Sequence, residues 1–401
     1  MVSVFSTLRI VGRHLVLHHR NWHTLTTPKH QAMTSKLKNN HYVPRSYLRR
    51  FSPNGKQITL FNIKNSRVIS GAPIKSQCSK DYFYTHNPQF EKRFSEIESQ
   101  HHILINSILE TKTPPPRGSL DHVHLLECVM LQAGRTQTEV DDMDHMTDEY
   151  GRAMLRHKFE KEGNSEMLAF LDTVTLKTTN AVMEAVLNHL LMFPLIEDMD
   201  CTLLLNHTSE DFLTSDHPIA RCNSMPTLRP EDRTQGFASR GLIILYPLSP
   251  RVMLFLSDAE VYHIEPAGAS QRLHNSRDVV ELNLMQFTNA HENVYCLDGA
   301  RVAMTLEAFR KRSKTVRPPR PPVSKLDAAS VVGRRGVVFT IQTVPRRLSL
   351  PKPIKLRHAA KTKRFKLGDE HVRDPIRAYL VHERLKELKD RHEPNDPDDE
   401  V

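Results

Sequence analysis

Apolar and polar residues alternate through Lys56–Ser70, KQITLFNIKNSRVIS, on both sides of Lys64-Asn65-Ser66. A period of two predicts a β-hairpin near Gln57–Ser70. DYFYT at 81–85 reads as a further short strand. From about Asn87 to His189 the period becomes helical. Phe90, Phe94, Ile97, Ile105 and Leu109 form a stripe on a first helix, which TPPP at 113–116 ends. Ser119 is an N-cap candidate for the next helix, LDHVHLLECVMLQAG. Its apolar residues run nearly all round, so it is expected to be buried. Two more polar helices are expected near 140–162 and 165–191. After Pro194 strands return as CTLLLN, DFLTSD, GLIILYPLS and RVMLFLSD. A helix near Val279–His291 and a strand NVYCL close the compact part near Asp298.

Strands on both sides of a helical block predict an α+β fold with an antiparallel or mixed sheet. The expected boundaries are an N-terminal extension at 1–38, a core at 39–298, a Pro-rich linker at 299–330 and a basic extension at 331–401. That extension carries a β-like run, GVVFTIQTV, a charged helix, DPIRAYLVHERLKELKDR, and an acidic end, EPNDPDDE, expected to be disordered.

Charge changes this picture at both ends. The chain of 401 residues has a formal net charge of +10. Between Arg310 and Lys366 there are 18 Lys and Arg against one acid, Asp327, so the rest of the chain is net acidic. Such a segment suits a phosphate backbone, so nucleic acid is an expected partner through Arg310–Lys366. No Asp or Glu precedes Asp81. The first 32 residues resemble an Arg-rich, acid-poor targeting segment. The expectation is that they are disordered, or untranslated if synthesis starts at Met33. The five cysteines lack any CxxC pair and read as reduced thiols of a cytoplasmic protein. No apolar run reaches the roughly 18 residues of a membrane span, so no membrane partner is expected.

Seven separated motifs occur in order: HYVPRSYLRRF, DYFY, FEKRFSEIES, LQAGRT, DFLTSDHPI, YPLSPRVML and NLMQFTNAHENVYC. This order resembles the family called domain of unknown function 4238, widespread in bacteria, over about residues 39–298. The resemblance implies a fold and a site but no reaction, and it favours Asn283 as a site residue.

The residues themselves suggest where chemistry sits. In HYVPR, Pro44 stiffens the backbone and holds Val43 extended, which suits an aimed His41 beside Tyr42 and Arg45. Imidazole serves as a general base or metal ligand near neutral pH, or as an anchor for the arm. Glu91 and Glu98 lie two helical turns apart on one face. Arg135 ends an otherwise apolar helix and needs a carboxylate, with Glu98 and Asp216 as candidates. Ser215 and Asp216 close a β-like run before Pro218. His217, adjacent, is ranked below Asp216 because strand alternation turns it to the other face. Asn283 lies on the late helix with Gln286 and Asn289 at i+3 and i+6. Asp141, His145 and Asp148 share a helical face, but acids opening a helix suit its macrodipole.

Two functions fit these residues. One is a metal-dependent phosphate-ester hydrolase or nuclease, with His41, Glu98 and Asp216 as candidate ligands of magnesium or manganese and Arg135 as phosphate clamp. The other is a non-enzymatic binding module for nucleic acid or protein, whose polar cluster is structural. An open cleft with unpaired carboxylates favours the first, a sealed and paired network the second.

Overall fold

The computed structural model describes residues 8–11, 14–17, 39–84, 88–225, 235–265, 268–316, 323–327, 337–341, 347–358, 360 and 372–390. In chain order the elements begin with β1 (Leu8–Val11), β2 (His14–Leu17), β3 (Asn39–His41), α1 (Arg45–Leu48), β4 (Gln57–Asn62), β5 (Arg67–Pro73) and β6 (Ser79–Asp81). The helical block follows as α2 (Pro88–Thr111), α3 (Leu120–Gly134), α4 (Gln137–Glu162) and α5 (Ser165–Leu171), then β7 (Thr175–Thr178) and α6 (Ala181–Leu191). The second half holds β8 (Asp200–Asn206), β9 (Thr214–Ser215), β10 (Ala220–Asn223), β11 (Leu242–Ser249), β12 (Val252–Ser257), β13 (Tyr262–Ile264), β14 (Ser270–Leu273), α7 (Ser276–Asn289), β15 (Asn293–Cys296) and α8 (Ala303–Val316). The chain continues with β16 (Val323–Asp327), β17 (Val337–Ile341), β18 (Ile354–Leu356) and α9 (Pro375–Asp390).

The fold is α+β, built on a five-stranded mixed sheet ordered β10-β11-β12-β8-β14 and a four-stranded antiparallel sheet ordered β5-β4-β15-β9. β11 and β12 read as continuous apolar runs because both their faces are covered. Leu242, Ile244, Tyr246, Val252 and Leu254 face one cluster with Leu125, Val129 and Met130 of α3. Ile243, Leu245, Met253 and Phe255 face the other, with Val279 and Leu282 of α7 and Leu306 and Phe309 of α8. The sheet is therefore the middle layer between two sets of helices. Pro247 sits where the β11–β12 register shifts, a place where a missing N–H is tolerated.

Several expectations are corrected. The single helix expected over 165–191 is divided: β7 intervenes between α5 and α6. DFLTSD is mostly irregular, with only Thr214–Ser215 paired as strand. The compact part does not close near Asp298. α8 runs through the start of the expected linker, and Leu306 and Phe309 are core residues. β16, paired with β17, also lies within that linker.

The expected C-terminal extension is joined to the core. Leu348, Ile354 and Ala360 are buried in it, β18 pairs with β13, and Arg373 is clamped by both carboxylate oxygens of Asp198. In the N-terminal stretch, expected to be disordered or untranslated, β1 and β2 pair with each other and β2 runs parallel to β7. The acidic end at 393–400 lies outside the described residues. No helix among the described residues is long and apolar enough to cross a membrane.

At Gly134 α3 approaches α6 closely. A Cβ there would lie 2.9 Å from Ala185 O and from His189 Cβ. Gly134→Ala is expected to destabilise the fold by about 1–3 kcal/mol, as overpacking does. Urea unfolding of the two proteins measures it.

Candidate functional site

HYVPR lies against the α2–α3 pair. The His41 backbone pairs with Ser79, and its Nδ1 donates to Gln77 O at 3.1 Å. A carbonyl only accepts, so the proton sits on Nδ1 and Nε2 is bare. Burial lowers the His41 pKa, the Gln77 bond raises it, Arg45 and Arg135 lower it and Glu98 raises it. Tyr42 packs its ring 5.3 Å from Phe83, and its phenol reaches the Cys78 thiol, which Tyr295 also meets at 3.3 Å. Arg45 is exposed.

Arg135 has the partner it needed. Its Nη1 donates to Glu98 Oε1 at 2.5 Å, while Nε and Nη2 donate to Gln132 Oε1 at 3.0 and 2.9 Å. Gln132 in turn donates to Tyr42 O at 3.2 Å, which ties HYVPR to α3. Phe94 lies under the guanidinium at 5.7 Å. The side chain of Glu91 lies outside the described residues.

Asp216 is not part of this pair. Its carboxylate accepts the backbone N–H groups of His291, Glu292 and Asn293 at 2.7, 2.8 and 2.9 Å. Burial raises its pKa and those three bonds pull it down. Asp216 thus holds the turn between α7 and β15. Tyr42, Cys78 and Tyr295 feel its charge.

Ser215 Oγ donates to Gln286 Oε1 at 3.0 Å and accepts His217 N at 3.3 Å. Asn283 donates to Asp211 O at 2.8 Å and accepts from Leu213 N at 2.9 Å. Gln286 donates to Pro218 O at 2.9 Å, and Asn289 to Ile219 O at 2.9 Å and His217 O at 2.5 Å. The i, i+3, i+6 amides of α7 thus supply the hydrogen bonds that 211–219 lacks as strand. In this geometry Asn283 and Ser215 are bound to protein groups.

A second cluster escaped the sequence reading. Thr136, Gln137, Thr138 and Glu139 spell a T-x-x-E capping box at the start of α4. Thr136 makes no cap bond; its Oγ1 meets His217 Nδ1 at 2.6 Å instead. Glu139 turns inward, 3.7 Å from His189 Nε2, 3.7 Å from His217 Nε2 and 3.8 Å from an Arg221 nitrogen. His217, ranked below Asp216, is therefore the residue that joins LQAGRT to TSDHP. His189 Nδ1 donates to Ala185 O, and burial lowers its pKa, so Nε2 is bare at neutral pH. The Arg221 charge beside Glu139 opposes a second cation. Among the described residues no three His, Cys, Asp or Glu side chains are placed to hold a metal.

The acids of α4 are also committed. Asp141 pairs with His291 at 2.8 Å, and Asp144 and Asp148 accept the β7 amides Thr178 N and Leu176 N at 3.1 and 2.8 Å.

The model of the family described as protein of unknown function, DUF4238, matches residues 39–299. No curated protein and no solved structure matches the chain.

Asp216→Asn replaces an acceptor oxygen with a donor facing backbone N–H groups. It is expected to cost roughly 1–3 kcal/mol in urea unfolding. The partly buried His101 gives a pH signature. Burial, Arg135 and His124 hold its pKa down at about 4, against 6.5 in the unfolded chain. The unfolded chain therefore takes up a proton first, and stability contributed by neutral His101 is lost as pH falls from 6.5 towards 4. His101→Gln is expected to flatten that limb of a melting temperature against pH profile.

Proposed function

The chain belongs to the DUF4238 family, and we propose that it acts as a non-enzymatic binding protein whose polar cluster is architecture and whose basic segment takes a nucleic-acid backbone. The observation that carries this reading is how the basic segment is built. β18 is zipped to β13 with Ile354 turned into the core and Lys355 outward. Arg347, Lys352, Lys355 and Arg357 are all exposed, and Arg310 and Lys311 are exposed on α8, which packs on the same cluster. Cations on fixed backbone lose less entropy on meeting phosphates than cations on a free tail.

The hydrolase reading draws less support from the donor set. Glu98 is engaged by Arg135 and both Asp216 oxygens by backbone amides. Magnesium and manganese need free carboxylate oxygens. A cytoplasmic site of action goes with the proposed nucleic-acid partner and with five free thiols, four of them buried.

The test is fluorescence anisotropy of a labelled oligonucleotide against salt. Binding is expected to weaken linearly in log–log form. Lys352→Ala with Lys355→Ala should lower the slope by about 1.4–1.8, at roughly 0.7–0.9 per lost phosphate contact. An unchanged slope overturns the assignment of these lysines. Stoichiometric magnesium or manganese in calorimetry, lost in folded Asp216→Ala, would restore the hydrolase reading.

A further inference from the structure

Beside the Glu98–Arg135 pair a cleft opens between α1, α2 and α3. Its walls include Ser46, Arg50, Glu98, His101, His102 and Arg135, and it encloses about 30 Å³. A buried water needs on the order of 10–15 Å³ by the same measure, so this space takes about two water-sized groups. That is too small for a whole metabolite and suits the tip of one.

Arg50 sets what such a tip must be. It is partly buried and forms no ion pair with any described residue. Its Nη2 donates to His102 Nδ1 at 3.1 Å and to Asn106 Oδ1 at 3.0 Å, both neutral acceptors when His102 is unprotonated. Burial lowers the His102 pKa, and Arg50 and Arg49 lower it further. The groups near enough to favour the Arg50 charge are Tyr246, Tyr47 and Cys128, none of them an anion at neutral pH. Three N–H groups, on Nε and Nη1, have no protein acceptor among the described residues. Arg135 adds a second positive charge and Glu98 a single negative one. With His101 and His102 neutral, the cleft carries one uncompensated positive charge. Arg45 near His41 and Arg49 near His102 add to that field from the rim.

We infer that this cleft binds a small oxyanion, the terminal phosphoryl group of a ligand or free phosphate, held by the unused Nη1 and Nε N–H groups of Arg50. Each is a charged donor, and a charge-assisted bond to a phosphate oxygen is shorter and stronger than one between neutral groups. Ser46 offers a hydroxyl at the wall. Arg135 contributes mainly field, because Gln132 and Glu98 take three of its five N–H groups. This site does not depend on the nucleic-acid reading.

The experiment is calorimetric titration of the full chain with inorganic phosphate, and separately with a nucleoside monophosphate, at fixed ionic strength in chloride. One saturable site is expected. Arg50→Gln should weaken it at least tenfold, and Arg50→Lys should fall in between. Glu98→Gln removes the only carboxylate among the described residues of the wall and should tighten it severalfold. Tighter monophosphate than phosphate assigns a ligand's end group, and the reverse order assigns the free ion. No saturable binding to folded wild type, or unchanged binding in folded Arg50→Gln, overturns the inference. If Arg50→Gln does not fold, Glu98→Gln decides, and unchanged or weaker binding in that variant overturns it.

Discussion

The segment 211–219 crosses the interior without a full strand partner, and the fold depends on how its backbone is satisfied. Unpaired buried amides and carbonyls cost about 1–3 kcal/mol each. Asn283, Gln286 and Asn289 of α7 supply the missing bonds to residues 211, 213, 218 and 219. A helix rotates 100° per residue, so i, i+3 and i+6 stay on one face while advancing along the axis. Amides suit the task because each offers both a donor and an acceptor. That is why α7 is buried along its length with polar residues inside it.

The same arrangement recurs. Asp144 and Asp148 of α4 accept two amides of β7, and Asp216 accepts three from the 291–293 turn. Asp148, Asp216 and Asn283, which looked chemical in sequence, stand where irregular backbone meets a helix or strand end, while Glu98 neutralises Arg135. The polar network is thereby an account of topology. A chain with short strands such as β7 and β9 must close its hydrogen bonds with side chains.

This explains what was legible in the sequence. The 57–70 hairpin, β8, β11 and β12 announced themselves by period and apolarity, and Ser119 by its capping position, where it accepts from His122 N. The Arg135–Glu98 pair followed from a charge on an apolar helix. β7 was hidden because TVTLKTT lies between two helical patterns and pairs through β2 and α4, not a hairpin. The Glu139 node was hidden because Thr136 and Glu139 have the spacing of a capping box, which accounts for both locally. Its contacts with His189, His217 and Arg221 are purely tertiary. The C-terminal packing was masked by composition: basic residues outnumber the few, such as Leu348 and Ile354, that anchor the segment.

Three buried or partly buried arginines show how charge is handled once it is inside. Arg373 has both oxygens of Asp198 and three backbone carbonyls, and it fastens the C-terminal segment to the core. Arg135 has Glu98 and the Gln132 amide, and it fastens α2 to α3. In both, the desolvation cost of the guanidinium is offset by a carboxylate within the fold. Arg50 has the same chemistry and lines the same cleft as Arg135, yet among the described residues only neutral acceptors reach it. Among the described residues the fold twice supplies a carboxylate and once leaves the place open, at an arginine with free donors on a cleft, and the proposed oxyanion is the counter-charge that fits there.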